Sequence, residues 1–566
     1  MTSARTKRGD RTAPDLQHFR DRYPLTVASL GALPDREAWL RDIWEAESCW
    51  RDSRGVGTAE EVVVRGAPPA RLACEGEFEI AYAGAAGGLL DAALMATHYG
   101  RRVLLFDEGS PAEVGRRWGV SREEREGLAR AGLFTKDEID AATVNRYRAC
   151  RVKFHDAGSR VKAPALEVTD VFDAELDADR LLASARAKLR EREGCAVLEG
   201  ARLVRAYVEP RRVSIEIEAA GGAHKLFAAR LLVDATGATS AVARQLGGTG
   251  AFTHVSPSVG TVARGFARGA GGVDFCVREI LVTTEDAGAH RQLLWNGSAR
   301  DPRRDEFATR LFFYDAVNSP ADKSLLALFE SYFEKLPAYK RAGAQWRVVR
   351  PLYGYAAGAP RGRGWKSRGH VSTDRVLLAG GEAGRANPLA PSGAHLRDLE
   401  RRARLVDLAL ASDALDARSL ASVACAEPRA SHASHLAEFL RPSARAAREP
   451  ATVNETLNAV AAALHDLDES VRRELFRDQL SFGALRSLMS RTVRLYPRIL
   501  QRVREHFGAR GTFLWLAHAA EAALRERRAD PGIPFVGGES QAGVSAEELA
   551  SSIEPSGKDG SAGDSG

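Results

Sequence analysis

The stretch that decides the fold runs from Phe78 to Gly109, FEIAYAGAAGGLLDAALMATHYGRRVLLFDEG. Its opening apolar run, Phe78–Ala83, reads as a short strand. Gly84-Ala85-Ala86-Gly87-Gly88 reads as a tight turn, and Leu89 to Tyr99 as an apolar helix closed by Gly100. A second strand, Val103–Phe106, ends in Asp107-Glu108. This strand-turn-helix-strand-acid unit suits the ADP half of a dinucleotide. Small residues let the backbone approach a pyrophosphate, and a helix N-terminus offers unpaired N–H groups and partial positive charge. An acid about 20 residues further on accepts from the ribose hydroxyls. The candidate cofactor contacts are therefore Gly84, Gly87, Gly88 and Asp107. A strict G-x-G-x-x-G is absent, and a Gly/Ala-rich turn also serves plain helix–strand packing.

Two later motifs extend the pattern. The run Leu232-Val233-Asp234-Ala235-Thr236-Gly237-Ala238-Thr239-Ser240 is a strand entering D-A-T-G-x-x-S. It resembles the second nucleotide contact of two-domain flavoproteins, with Asp234 and Gly237 as the contacts. A third motif starts at Arg375-Val376-Leu377-Leu378 and turns through Gly380, Gly381, Glu382 and Gly384 towards a helix predicted over His395–Leu410. That helix N-terminus would face a negative or electron-rich group. Ser121 reads as an N-cap, with Arg122, Glu123 and Glu124 in the first turn after it. Arg180, in the first turn of an amphipathic helix over Asp177–Arg192, could reach a cofactor phosphate; a solvated surface arginine is the plainer reading.

A chain of 566 residues exceeds what one core organises, so two or three domains are expected. The net charge of +6 comes from arginines spread among comparable numbers of acids, with no basic run interleaved with aromatics and no zinc spacing. Nucleic-acid binding and a metal site are not expected. The six cysteines form no C-x-x-C pair and read as reduced, buried thiols. The first residues carry no apolar signal, and no run of about 18 apolar residues spans a membrane. A cytoplasmic protein is expected. The domain reading is an N-terminal helical extension (1–76), a dinucleotide-binding part (77–250), a substrate-domain sheet (251–356), a second dinucleotide-binding part (357–410), a helical region (411–536) and a disordered tail (537–566). Trp295, Phe312, Phe313, Tyr314, Tyr353 and Tyr355 could line an apolar cavity in that sheet, although packing explains most such residues.

Several segments carry a family resemblance: WGVSREE (118–124), SVGTVARGF (258–266), RQLLWNG (291–297), SLLALFESYFEKLPAYK (324–340), RPLYGY (350–355), LRDLERRARLVD (396–407) and LYPRIL (495–500). From about Phe19 to Leu516 the chain resembles the CruA/CruP-type lycopene cyclases, within the two-domain FAD flavoproteins. The resemblance implies an α/β fold of the two-domain FAD-binding, Rossmann-like type, with an antiparallel-sheet substrate domain and a helical C-terminal region. It implies FAD as a non-redox cofactor, a carotenoid-like apolar substrate and acid/base cyclisation. Glu382 and His395 are the candidate catalytic residues. Arg122 and Arg180 join Gly84, Gly87, Gly88, Asp107, Asp234, Gly237, Gly380, Gly381 and Gly384 as cofactor contacts. Two departures stand out. Gly119 replaces the family's usual Asn, and Gly380-Gly381, with Glu382 next, stands where flavoproteins carry a G-D whose Asp holds the ribityl chain. An FAD-dependent monooxygenase or reductase acting on a lipid or polyketide is the alternative, and a degenerate carotenoid- or lipid-binding member is another. An insoluble substrate would also place the protein at the inner face of a membrane, with Arg491, Arg494, Arg498 and Arg502 rimming an apolar helix face.

Overall fold

The computed structural model describes residues 14–52, 61–109, 116–155, 159–237, 240–247, 254–286, 291–358, 372–378, 389–390, 392–425, 432–440 and 452–528. Five parallel strands organise it: β1 (Cys74–Ala83), β2 (Val103–Asp107), β3 (Ala196–Glu199), β4 (His224–Asp234) and β5 (Val376–Leu378). They lie in the order β3-β2-β1-β4-β5. This is the doubly wound arrangement, in which chain order reverses between β1 and β4 and leaves a crevice at the strand carboxyl ends. Both faces are covered, as a parallel sheet requires. Ile80 and Tyr82 face the helices Ala85–Thr97 and Ala178–Arg190, while Ala81 and Ala83 face a second apolar cluster with Ile215, Ile217 and Phe227. The period of two along β1 thus feeds two cores at once.

The second sheet has eight strands. Its longest members are His254–Phe266, Val277–Asp286, Arg291–Asp301, Glu306–Phe313 and Ala342–Gly358, and these pair antiparallel. Two further strands, Ala149–Phe154 and Leu166–Val168, come from the chain between β2 and β3, so the two sheets exchange segments. One face packs the helix Leu325–Tyr339 and the N-terminal helices Leu16–Arg22, Pro24–Leu30 and Arg36–Asp52. Part of the opposite face packs the C-terminal helices through Ile280, Val282, Leu294 and Phe312. The α/β fold with two sheets and a helical C-terminal region is the architecture expected from the sequence.

Local differences have local causes. The N-terminal helical extension holds three helices among the described residues, because Pro24 starts a new one and Asp35 sits at φ 56°. The helix read from His395 begins as a 3-10 turn, Ala394–Asp398, and becomes α only at Leu399. Of the cysteines, Cys150 is buried but Cys74 and Cys276 are exposed, which corrects the expectation of buried thiols. Trp295 stacks on Tyr339 with centroids 4.6 Å apart, so it packs the sheet against its helix. The expected tail at 537–566 lies outside the described residues.

Tyr332 ties the second sheet to its helix: its buried hydroxyl lies 2.6 Å from the hydroxyls of both Thr261 and Thr309. Tyr332→Phe strands two buried hydroxyls and is expected to lower stability by about 1–2 kcal/mol, read by urea denaturation.

Candidate functional site

The candidate site forms where strand ends become level. Phe106 pairs with Ala83, Ala83 with Asp234, and Asp234 with Leu378. The turns that follow β1, β2 and β4 therefore leave one edge of the sheet together, at the level where β5 ends. Gly84 has φ 94°, and a Cβ there would lie 2.8 Å from the Ala235 carbonyl oxygen. At Gly87 and Gly88 an added Cβ would come within 3.0 Å of that oxygen and 3.1 Å of the Ala235 Cβ. The glycine turn thus serves close backbone packing directly, which is one of the two readings its composition allows. The partner turn is rigid: Asp234 is buried and accepts from the Thr236 N–H at 2.9 Å, the Thr236 hydroxyl at 2.5 Å and the Ser240 hydroxyl at 2.6 Å. Gly237 follows at φ 70°, and a Cβ there would meet nothing within 4 Å, so this corner of the crevice is open.

Asp107 lies at the expected strand end. Its carboxylate accepts from the Ala85 N–H at 3.0 Å and the Gly109 N–H at 3.2 Å, capping the helix that starts at Ala85. Gly84, Gly87, Gly88, Asp107, Asp234 and Gly237 are therefore brought together. Arg180 is not among the groups that line these turns: its Nη1 donates to the Ala141 carbonyl at 2.8 Å from an exposed position. Arg122 begins the helix Arg122–Arg130 with an exposed side chain, and its backbone N–H donates to Asp173 at 2.7 Å. His395 lies in the 3-10 turn, with Nδ1 3.1 Å from the Ser392 carbonyl and its ring edge-on to Trp118. Gly380, Gly381, Glu382 and Gly384 lie outside the described residues.

Sequence reasoning missed a layer of buried charge beside this crevice. A small sheet pairs Arg117–Val120 with Ala174–Asp177 and places Gly119 opposite Glu175. The Arg278 guanidinium sits directly over Gly119, where a Cβ would be 2.4 Å from Nη1, and donates to Glu175 at 2.7 Å. Its Cζ lies 4.6 Å from the Phe172 ring centroid. Burial pushes Arg278 down, and the Glu175 carboxylate more than restores it, leaving its pKa raised. Gly119 is also joined to the segment after the third motif: its N–H donates to Ser392 Oγ at 3.0 Å, and the Gly393 N–H donates to its carbonyl at 3.1 Å. The one signal in the sequence was the missing Asn at 119, because only glycine leaves room for the guanidinium.

No protein-family model matches the chain, and no curated protein matches it. Among solved structures it is similar to the halogenase PltM, at 15% identity over 81% of this chain and 98% of that one, with a TM-score of 0.49. It is also similar to a geranylgeranyl bacteriochlorophyll reductase-like protein from Thermoplasma acidophilum (12% identity, 76% and 99% coverage, TM-score 0.47). A third is the p-nitrophenol 4-monooxygenase PnpA from Pseudomonas putida (17% identity, 73% and 99% coverage, TM-score 0.47). At these values the likeness is one of broad outline, and the geometry of the strand ends carries the functional reading by itself.

Two substitutions probe the geometry. Gly84→Ala combines a disfavoured backbone conformation with a collision against the Ala235 backbone and is expected to cost on the order of 2–4 kcal/mol in denaturant unfolding. Gly119→Asn is expected to displace Arg278 from Glu175 and destabilise by roughly 1–3 kcal/mol. If either variant matched the parent in stability, the packing described here would be wrong at that point.

Proposed function

We propose that the chain is an FAD-dependent oxidoreductase that binds its cofactor non-covalently at the strand-end crevice. The observation that carries this reading is the level register of Phe106, Ala83, Asp234 and Leu378 at the point where strand order reverses. The residues present fit the group. The helix starting at Ala85 would receive the diphosphate, Asp107 the adenosine ribose, and the turn Asp234–Gly237 the adjoining part of the cofactor. When bound, FAD supplies electron exchange with a substrate. The chain's own residues position it, shield it from water and set the surrounding charge.

The charge layer favours redox chemistry over cyclisation of a carotenoid. Cyclisation passes through a carbocation, and a cation beside Arg278 and Arg300, two buried guanidiniums that both lie within 3.5 Å of Glu175, would be destabilised by like charge at low dielectric. Negative charge developing on an electron acceptor would be stabilised by the same groups. Asp107→Ala is expected to weaken FAD binding by about 1–3 kcal/mol, measured by flavin fluorescence titration. Protein that stays colourless after incubation with excess FAD would overturn the assignment. Conversion of lycopene in a lycopene-accumulating host would restore the cyclase.

A membrane surface is the proposed location. Among the described residues no helix is long and apolar enough to cross a membrane. However, Leu495, Leu500, Phe513, Leu514, Leu516 and Leu524 are all exposed, Phe513 by 71%, and they lie on the last two helices. The stretch 491–528 contains nine arginines against three glutamates, as large an excess as the net charge of the whole chain. Two of the four expected rim arginines are occupied within the fold, Arg491 by Asp466 and Arg502 by Glu455, leaving Arg494 and Arg498 exposed. An apolar face with a cationic border suits an anionic lipid surface. The full chain is expected to sediment with anionic liposomes at low salt, and the pair Phe513→Glu and Leu516→Glu to stay in the supernatant.

A further inference from the structure

The most anomalous charged group in the molecule is Arg300. It is 4% exposed, yet its Nε and Nη1 make no hydrogen bond. Its nearest carboxylate, Glu175, stands 3.5 Å from Nη1 and already accepts from Arg278 at 2.7 Å and from the Tyr147 hydroxyl at 3.3 Å. One buried carboxylate therefore serves two buried guanidiniums. The other charges that bear most on Arg300 are three more guanidiniums, Arg310, Arg350 and Arg117. Burial first, and then these cations acting against Glu175, push Arg300 down to about 9. A buried charge in such surroundings costs several kcal/mol unless something pairs with it, and an unsatisfied buried group of this kind calls for a specific explanation.

The backbone gives one. Across the second sheet Ile280 lies opposite Asn296, Asn296 opposite Arg310, Arg310 opposite Gly260, and Gly260 opposite Leu352. By alternation Arg278, Arg310 and Arg350 share one face, the face opposite the one that packs Leu325–Tyr339. Arg300 falls where the register slips: Ala299 pairs with Phe307, and Asp301 with Glu306. It is the extra residue of a β-bulge, a device that re-aims one side chain out of the ladder and recurs beside binding sites. Arg117, Arg310 and Arg350 around it are only part-buried, so the cluster has an edge at solvent, where Arg117 also pairs with Asp177 at 2.7 Å.

We propose that Arg300, with Arg117, Arg310 and Arg350 around it, is the receptor for an oxyanion, a carboxylate or a phosphate, carried by the substrate. The planar guanidinium presents paired N–H donors that match either oxyanion in bidentate geometry. This deepens the oxidoreductase reading, on which it rests for the statement that the anion belongs to a substrate; the anion binding itself is measured independently of flavin. No covalent step is involved.

The test is thermal unfolding of the full chain, with and without FAD, at fixed ionic strength, with chloride replaced by inorganic phosphate or by benzoate. Phosphate or benzoate is expected to raise Tm by roughly 2–5 °C at saturation, in the presence of FAD as well as in its absence. Arg300→Met is expected to remove that response while keeping or raising the Tm of the anion-free protein, because it deletes a buried charge whose carboxylate, Glu175, remains paired with Arg278. Arg300→Lys is expected to restore only part of the response, since it keeps the charge and loses the fork. Arg350→Gln, at a less buried position, is expected to weaken the response several-fold in a folded protein. The proposal is overturned if neither anion shifts the parent, or if Arg350→Gln responds like the parent while Arg300→Met unfolds at lower temperature, which would make Arg300 a structural partner of Glu175. It is also overturned if FAD abolishes the anion response, because the guanidiniums would then belong to the cofactor's diphosphate. Absence of flavin binding together with a retained anion response would sink the oxidoreductase reading and leave the anion receptor standing.

Discussion

Everything in the candidate site depends on one close backbone approach, that of Gly84 to the carbonyl of Ala235. A parallel sheet that reverses its strand order leaves two neighbouring strands whose connections depart in opposite directions, and the crevice between them is useful only if both turns stay low. Gly84 keeps the first turn low because no Cβ stands between it and the second. Asp234 keeps the second turn low by holding Thr236 and Ser240 from beneath. Small residues on one side and a buried carboxylate on the other therefore act together. Neither would shape the crevice if the register of β1 and β4 slipped by one residue, because a one-residue slip turns every side chain to the opposite face.

This interplay explains what was legible in the sequence. The β1-helix-β2 unit and the D-A-T-G turn were readable because each is local: an apolar run, a glycine cluster and an acid, all within about 35 residues. The capping box at Ser121 and Glu124 was readable for the same reason. The level strand ends were not, since they depend on the register between segments more than 100 residues apart. Arg180 shows the converse: its place in the first turn of a helix was read correctly, but the Ala141 carbonyl that holds its guanidinium is distant in sequence. A helix position constrains where a side chain starts and says little about what it meets.

The arginine layer was invisible for a further reason. Buried charges carry no periodic signature, and VREILV and GSARD read as ordinary edge-of-strand sequence. What marks them is the environment: Glu175 on one sheet, Arg278 and Arg300 on another, and a glycine that makes room between them. The loss of Asn at 119 looked like decay of a family motif. In the fold it is half of a pair, and the other half is Arg278.

The two faces of the second sheet have therefore been given different tasks. One is closed by Trp295 against Phe329 and Tyr332 of a helix, with the Tyr332 hydroxyl paired to those of Thr261 and Thr309. That face is complete, and burial of this kind stabilises the fold. Among the described residues, the other places two buried guanidiniums, Arg278 and Arg300, against the buried carboxylate of Glu175, and hydrophobic residues of similar volume would commonly be no less stable in their place. A face that keeps its charge at a cost to stability, bulges its backbone to aim one guanidinium and lies one residue layer from the segment after the third glycine motif has the character of a working surface. Its sign also matters. A positive interior attracts anions and repels cations wherever they enter, so the same groups that would hinder a carbocation would draw in an anionic substrate and hold it in one orientation.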